Sequence, residues 1–494
     1  MEGKIFLRPG TPDDANRDYL PESIFGSDIV VNENGNNSQP HPKNLVEKHE
    51  VLWGDEEDTW FEYVPDTYDP EKATPLVVSC HGGLMSGWGQ CIYTSWTYVA
   101  DREGFIVVFP NAHEYKFWNV WEGVPKMADG SEMKSGPGGM PLPKPYPSFK
   151  EGPDCNQVLA LIENVKARFN IDPGRIFIQG MSMGGMMTSM MVHYFGEKFA
   201  GFATAGAPGG APRGVKNAEP WERGPISGFI SMPEFNGFDK NPDRSRDDIE
   251  GVRRAVQYWT AVNDCTALPE IMLEGEDNYF FYTGKKANFT LRVIRNRDHG
   301  QTLDDAELVW DYCFSGIRRD EKGEIIQGGT KLPRKGDDFG IALALGKENA
   351  LVNSKPIRLQ IPAFKHQKLK YHGLDGGELV RGEYFYAPVS FLAQATGSEC
   401  NMSADGRNAE LILRDGRMVE FAQGSIGCVI DNKIYSMDCE AVIRDGALCL
   451  PVEWFFRRLL GCFVSESRGV IYITDHYIEL AAHTAALIED ILAK

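Results

Sequence analysis

The 494-residue sequence predicts an α/β protein: a mostly parallel sheet with helices on both faces, followed by a smaller α+β repeat domain at the C-terminus. Three observations carry this. Short apolar runs at residues 75–80, 104–110, 175–178 and 199–206 alternate with stretches of helical character, the pattern of parallel strands joined by crossover helices. The string Gly180-Met-Ser-Met-Gly184 stands between one such run and a helix-like stretch. Beyond residue 336 the pattern changes to short alternating strands, and that pattern occurs twice.

Composition bounds the answer. The chain is too long for one ordinary core, so two or three domains are expected. Its 42% apolar and 24% charged content is that of a folded, globular chain. A net charge of −19 disfavours nucleic acid and anionic membranes as partners. No apolar run is long enough to span a bilayer. The N-terminus carries no signal-peptide pattern, so the expectation is a cytoplasmic protein or an exported one whose signal has been removed. The ten cysteines show neither close pairs nor C-x-x-C spacing, which argues against a zinc site or a dense disulfide framework.

In chain order, residues 1–45 are polar and rich in Asn, Pro and Gly, and read as an arm with one short strand at 27–31. Residues 48–64 alternate in the manner of antiparallel edge strands, and 75–80 is a buried strand. A helix at 96–101 precedes the strand 104–110. Residues 111–150 form a long irregular segment rich in Gly, Pro and Trp, and loops of that length are usually functional. A helix at 154–169 leads to the strand 175–178, a second helix covers 185–195, and 199–206 and 289–294 are further strands. This part is read as a catalytic domain over 46–320, with a charged, Gly-rich linker at 321–338. In the repeat domain, 339–475, residues 345–355 correspond to 423–433 and 386–392 to 449–455. The unit is a hairpin, a helix begun after Pro, and a second hairpin. An amphipathic helix over 476–494 closes the chain.

Strand, sharp turn and helix with Ser182 at the apex of G-x-S-x-G is the geometry of a nucleophile elbow. The amide of Met183 then opens a helix and faces the place where an oxyanion would form. A base must follow. Between Ser182 and the linker the histidines are His193, inside the helix after the elbow, and His299, in a loop directly after a strand. His299 is therefore the candidate base. The orienting acid is expected on the loop after the run that starts at Gly228, where Asp239 is the first choice and Asp243 and Glu234 are alternatives. A second oxyanion amide is expected from Ser79-Cys-His-Gly-Gly-Leu84, either Gly83 or Leu84, with His81 a structural hydrogen-bonder rather than a second base. Trp118, Asn119 and Trp121 either line a substrate pocket or pack their own loop.

Residues 50–315 resemble the polyhydroxybutyrate depolymerase and feruloyl esterase branch of the α/β-hydrolases. The residues that carry the resemblance are His81-Gly-Gly, Trp96 with residues 100–110, residues 175–185, Trp259-Thr-Ala-Val-Asn-Asp-Cys265 and Asp298-His-Gly300. The family's nucleophile falls on Ser182 and its base on His299, while its G-x-x-D acid pattern has a nearest match in Gly237-Phe-Asp239, one residue short. Residues 339–475 resemble the repeat domain named after the N-terminal part of copper amine oxidases. That resemblance implies attachment or packing roles, with self-association through this domain one form of it. His366 and His372 have no partner at ligand spacing, so no metal is expected, and the hydrolase resemblance implies no cofactor. The implied activity is a serine carboxylic-ester hydrolase working through an acyl-enzyme on feruloyl, acetyl or other short acyl esters, free or polysaccharide-linked, of plant cell-wall material. A polyester depolymerase, a serine peptidase and a non-catalytic binding protein on the same fold stand as alternatives.

Overall fold

The computed structural model describes residues 42–113, 116–124, 131–135, 142, 144–209, 225–236, 245–369 and 379–494. The strand expected at 27–31 lies outside them, as do Asp239, Asp243 and His372. The chain divides into two compact units: residues 1–267 with 281–334, and residues 268–280 with 335–494.

The first unit is built on a sheet of β1 (Leu45–Glu50), β2 (Asp58–Tyr63), β3 (Thr74–Cys80), β4 (Ile106–Pro110), β5 (Ile171–Met181), β6 (Gly201–Ala205), β7 (Ser227–Phe235) and β8 (Phe289–Asp298). Their spatial order is β1-β2-β4-β3-β5-β6-β7-β8. The β1–β2 and β2–β4 pairs are antiparallel. All later pairs are parallel. This mostly parallel, crossover-connected sheet with packed helices is an α/β-hydrolase architecture. Strands β3, β4 and β6 are buried along their whole length, which is why they read as continuous apolar runs rather than alternating ones.

The helices are α1 (Gly87–Ile92), α2 (Trp96–Glu103), α3 (Pro153–Arg168), α4 (Met183–Phe195), α5 (Ser245–Val262) and α6 (Asp305–Tyr312). Helix α3 opens with Pro at its first position, and α2 stops at Gly104, whose φ of 74° closes the helix in the left-handed region. Helix α1 has no signal in the sequence because it is short and Gly-rich. It is held by its surroundings and by Ser86 Oγ, which accepts from the Gly89 amide at 3.2 Å. Stacked rings bring α6 and the turn after it onto the sheet: Phe105 on Trp310 at 4.3 Å and Phe177 on Phe314 at 4.4 Å.

The first part of the stretch read as a linker, 321–338, pairs with the end of the catalytic domain. Ile317–Arg319 pairs antiparallel with Ile325–Gln327. The buried guanidinium of Arg319 donates to the carbonyls of Phe199 (2.8 Å), Pro225 (2.8 Å) and Gly196 (3.1 Å). A buried Arg with its donors satisfied fixes this hairpin to the hydrolase unit, and the boundary between units falls after Arg334.

In the second unit the internal repeat is visible in the backbone. The hairpins Asn349–Val352/Lys355–Arg358 and Gly427–Ile430/Lys433–Ser436 turn through residue pairs with positive φ: Asn353 (50°) and Ser354 (59°), Asp431 (46°) and Asn432 (64°). Both are two-residue turns of the kind that matches strand twist. Each hairpin is followed by a short helix after proline, at Val389–Thr396 and at Trp454–Leu459, the second a π-helix. The two repeats share one core around Leu392, Leu411, Phe455, Phe456 and Ile473.

Candidate active site

Ser182 stands between β5 and α4 with φ 55° and ψ −115°, a conformation that a side chain adopts only under constraint. The constraint is packing. A Cβ at Gly180 would lie 2.1 Å from the Gly184 carbonyl oxygen, and one at Gly184 would lie 2.1 Å from the Cys80 carbonyl oxygen. The two motif glycines therefore let the start of α4 sit directly against the ends of β3 and β5. The Ser182 amide is tied to the Ala205 carbonyl at 2.8 Å, so the turn is fixed to β6 as well.

His299, at the end of β8, is brought to this turn. Its Nε2 lies 2.8 Å from Ser182 Oγ, and its Nδ1 lies 2.7 Å from Asn236 Oδ1. The Asn236 contact places the proton on Nδ1 and leaves Nε2 to accept from the serine hydroxyl. Burial pushes the His299 pKa below the ordinary imidazole value, which favours the neutral, accepting form. Gly206 (φ 64°) backs the ring, since a Cβ there would lie 3.2 Å from His299 Cε1.

Asn236 is a site residue that sequence reasoning missed. It follows directly on β7, and its only sequence signal is its place at the head of the loop in which the acid was sought. Of the three acid candidates, Asp239 and Asp243 lie outside the described residues. Glu234 is buried, and its carboxylate accepts from the Arg295 guanidinium and from the Asn296 amide at 3.0 Å. That ties β7 to β8.

The strand-end glycines reach the same corner. A Cβ at Gly83 would lie 3.1 Å from Met183 Sδ and 3.4 Å from the Phe117 ring. The two oxyanion candidates differ, however. The Leu84 amide donates to the Lys116 carbonyl at 3.0 Å, so it is spent on the loop, and Gly83 remains beside Met183. His81 Nε2 accepts from the Ala112 amide at 3.0 Å and its Nδ1 donates to the Gly82 carbonyl at 2.6 Å. Full burial pushes its pKa down to about 4, so it stays neutral and holds the loop. Trp118 is buried and donates from Nε1 to the His81 carbonyl at 2.7 Å. Asn119 is buried too, with its amide on Asp154 Oδ2 (2.6 Å) and its Nδ2 on the Lys144 carbonyl (2.7 Å). Both therefore build the loop. Trp121 is half-buried. His193 stays in α4, with Nδ1 3.4 Å from the Tyr258 hydroxyl.

Beneath the elbow runs a buried polar chain. Ser79 Oγ donates to Gln179 Oε1 (2.7 Å), Trp96 Nε1 donates to the same oxygen (3.2 Å), and Gln179 Nε2 donates to Gln301 Oε1 (3.3 Å). It links the elbow strand to the loop that carries His299.

Both parts of the chain are similar to known proteins. Residues 150–210 match a family described as the prolyl oligopeptidase family, over α3, β5, the elbow and β6. Residues 374–473 match the copper amine oxidase N-terminal domain. The chain is 27% identical to a feruloyl esterase B of Neurospora crassa over 52% of this chain and 81% of that protein. It is 25% identical to an acetylxylan esterase A of Emericella nidulans, over 54% of this chain and 79% of that one. It is also 25% identical to a poly(3-hydroxyalkanoate) depolymerase C of Paucimonas lemoignei, over 45% and 48%. Among solved structures, an acetyl xylan esterase from Aspergillus awamori aligns over 55% of this chain and 99% of its own at 15% identity, with a TM-score of 0.38. Fold and site thus define an α/β-hydrolase of the serine hydrolase class. More narrowly, the chain is similar to feruloyl and acetylxylan esterases and to a poly(3-hydroxyalkanoate) depolymerase, and its residues 374–473 are similar to the copper amine oxidase N-terminal domain.

Proposed function

We propose that this esterase cleaves short acyl esters of plant cell-wall polysaccharide, acetyl or feruloyl groups above all, with Ser182 as nucleophile and His299 as base. The observation that carries the residue roles is the 2.8 Å contact of His299 Nε2 with Ser182 Oγ at the apex of a strained turn. His299 takes the hydroxyl proton as Oγ attacks the ester carbonyl. The amides of Met183 and Gly83 hold the tetrahedral oxyanion. His299 then protonates the leaving alcohol, and water repeats the cycle on the acyl-enzyme. Asn236 orients the imidazole, and Asp239 is the first choice for the acid that shares this role. The substrate class rests on the relatives, which are named as feruloyl and acetylxylan esterases.

Hydrolysis of p-nitrophenyl acetate, methyl ferulate, acetylated xylan and a polyhydroxybutyrate suspension by wild type and Ser182→Ala tests this. Loss of at least about a thousandfold in kcat in the variant is expected, with acetylated xylan or methyl ferulate preferred. Activity that survives the substitution would sink the assignment of Ser182. The prolyl oligopeptidase match over the elbow favours one second reading, a serine peptidase. Cleavage of aminoacyl anilides faster than esters would establish it. The proposal also includes self-association through the repeat domain, where the edge strand Lys433–Ser436 exposes Ile434 (85%) and Tyr435. A monomer mass by light scattering would remove that part.

A further inference from the structure

We propose that His366, Cys439 and Glu440, in the C-terminal unit, form a zinc-binding site. His366 stands on the strand Phe364–Leu369, and Cys439 and Glu440 lie in the turn that precedes the strand Val442–Arg444. Their donor atoms converge. His366 Nε2 is 3.2 Å from Glu440 Oε1, Cys439 Sγ is 3.2 Å from Glu440 Oε2, and one ligand atom from each residue lies within 4.8 Å of the others. Bonds of about 2.0–2.3 Å at tetrahedral angles hold zinc ligands roughly 3.3–3.6 Å apart, so small rotations convert this cluster into a coordination sphere. Sulfur, imidazole and carboxylate together are a donor set that suits zinc.

The surroundings are those of a held site rather than of three surface side chains. Cys439 is fully buried, while the His366 and Glu440 side chains are 28% and 22% exposed. The buried Tyr386 donates its hydroxyl to the Glu440 carbonyl at 2.7 Å and sets its ring edge-on to His366 at 5.0 Å. That fixes both the turn and the imidazole plane. Without metal the Glu440 carboxylate accepts from both neighbours. On binding, the Cys439 thiol proton leaves to solvent, a zinc–sulfur bond replaces the S–H bond, and no electron is transferred. His366 and Glu440 are 74 residues apart, so no local ligand spacing exists in the sequence, and the expectation of no metal arose from that.

The test is a zinc titration of the full chain after chelator treatment, by calorimetry and by competition with a chromogenic chelator. Wild type, Cys439→Ser and His366→Gln are compared, and cobalt serves as an optical probe of thiolate ligation. One zinc per chain is expected, with affinity at least about tenfold weaker in each variant and the cobalt–thiolate band absent in Cys439→Ser. Hydrolysis of p-nitrophenyl acetate should be unchanged in both. If Cys439→Ser loses its native circular dichroism, His366→Gln decides, because its side chain is partly exposed. Wild type without zinc at near one equivalent, or variants that bind as tightly as wild type, would overturn the proposal.

Discussion

His299 shows how burial and bonding set one residue's chemistry. In the role proposed for it, general base, His299 must be neutral, and activity is lost as falling pH protonates it. Burial lowers the His299 pKa, so the loss is moved to lower pH. The acid limb of kcat/KM for p-nitrophenyl acetate is therefore expected to have its midpoint below the ordinary histidine value of about 6.5. A pH–rate profile from 4 to 8 reads it directly. A midpoint above that value would mean that a carboxylate on the imidazolium outweighs burial. His81 marks the contrast. It is also buried and neutral, but both its nitrogens are spent on backbone groups, and no reacting atom is left to it.

The placement of His299 depends on the elements on either side of it. Asp305, at the start of α6, accepts from the Ser231 hydroxyl on β7 and, at 3.4 Å, from Arg292 Nη1 on β8. Arg292 also donates to Thr302 Oγ1 at 2.9 Å. All of these groups except Thr302 are buried, so one ion pair clamps two strand ends, a helix start and the loop between them. Removing Asp305 takes away the nearer carboxylate from a buried guanidinium whose ion pair with the exposed Asp304 is longer, at 3.8 Å. Asp305→Leu should cost about 3–5 kcal/mol in urea unfolding, and a cost under about 1 kcal/mol would show that the pair does not brace the loop. Such a clamp is not visible in sequence, because Ser231 and Asp305 are 74 residues apart.

At the scale of the whole molecule, buried ionisable groups make stability depend on pH. In the C-terminal unit Asp337 is buried, its Oδ2 accepting from the Leu273 amide (3.1 Å) and the Tyr472 hydroxyl (2.9 Å). Burial raises its pKa to about 6, while the neighbouring His476 is raised above the usual imidazole value by its bonds to Asp475 and the Leu273 carbonyl. Both groups hold a proton more tightly folded than unfolded. Stability from them is thus present at low pH and falls as pH rises, through pH 4–6 for Asp337 and above about 6.5 for His476. The Asp337 contribution is about 3 kcal/mol. Thermal unfolding at pH 5 and 7.5 should show the unit less stable at the higher pH, and Asp337→Asn should flatten that difference. An unchanged difference in the variant would rule Asp337 out as its source.

The sequence by itself determined what local pattern controls. Continuous apolar runs specified buried parallel strands, G-x-S-x-G between strand and helix specified the elbow, and Asp298-His-Gly300 after a strand singled out His299. The repeat was legible because its turns need Asn, Asp or Ser at positive φ. What only tertiary structure decided are the contacts between residues distant in the chain. The distance from His299 to Ser182 spans 117 residues of sequence. The Leu84 amide is bonded to the Lys116 carbonyl, and Trp118 and Asn119 are tied to the His81 carbonyl after β3 and to Asp154 in α3. Arg319 docks the hairpin that runs into the stretch read as a linker through carbonyls that no spacing rule foretells. The physical reason is the same in each case. Hydrophobic periodicity is written along the chain, whereas the satisfaction of a buried polar group depends on which partner the fold brings within about 3 Å of it.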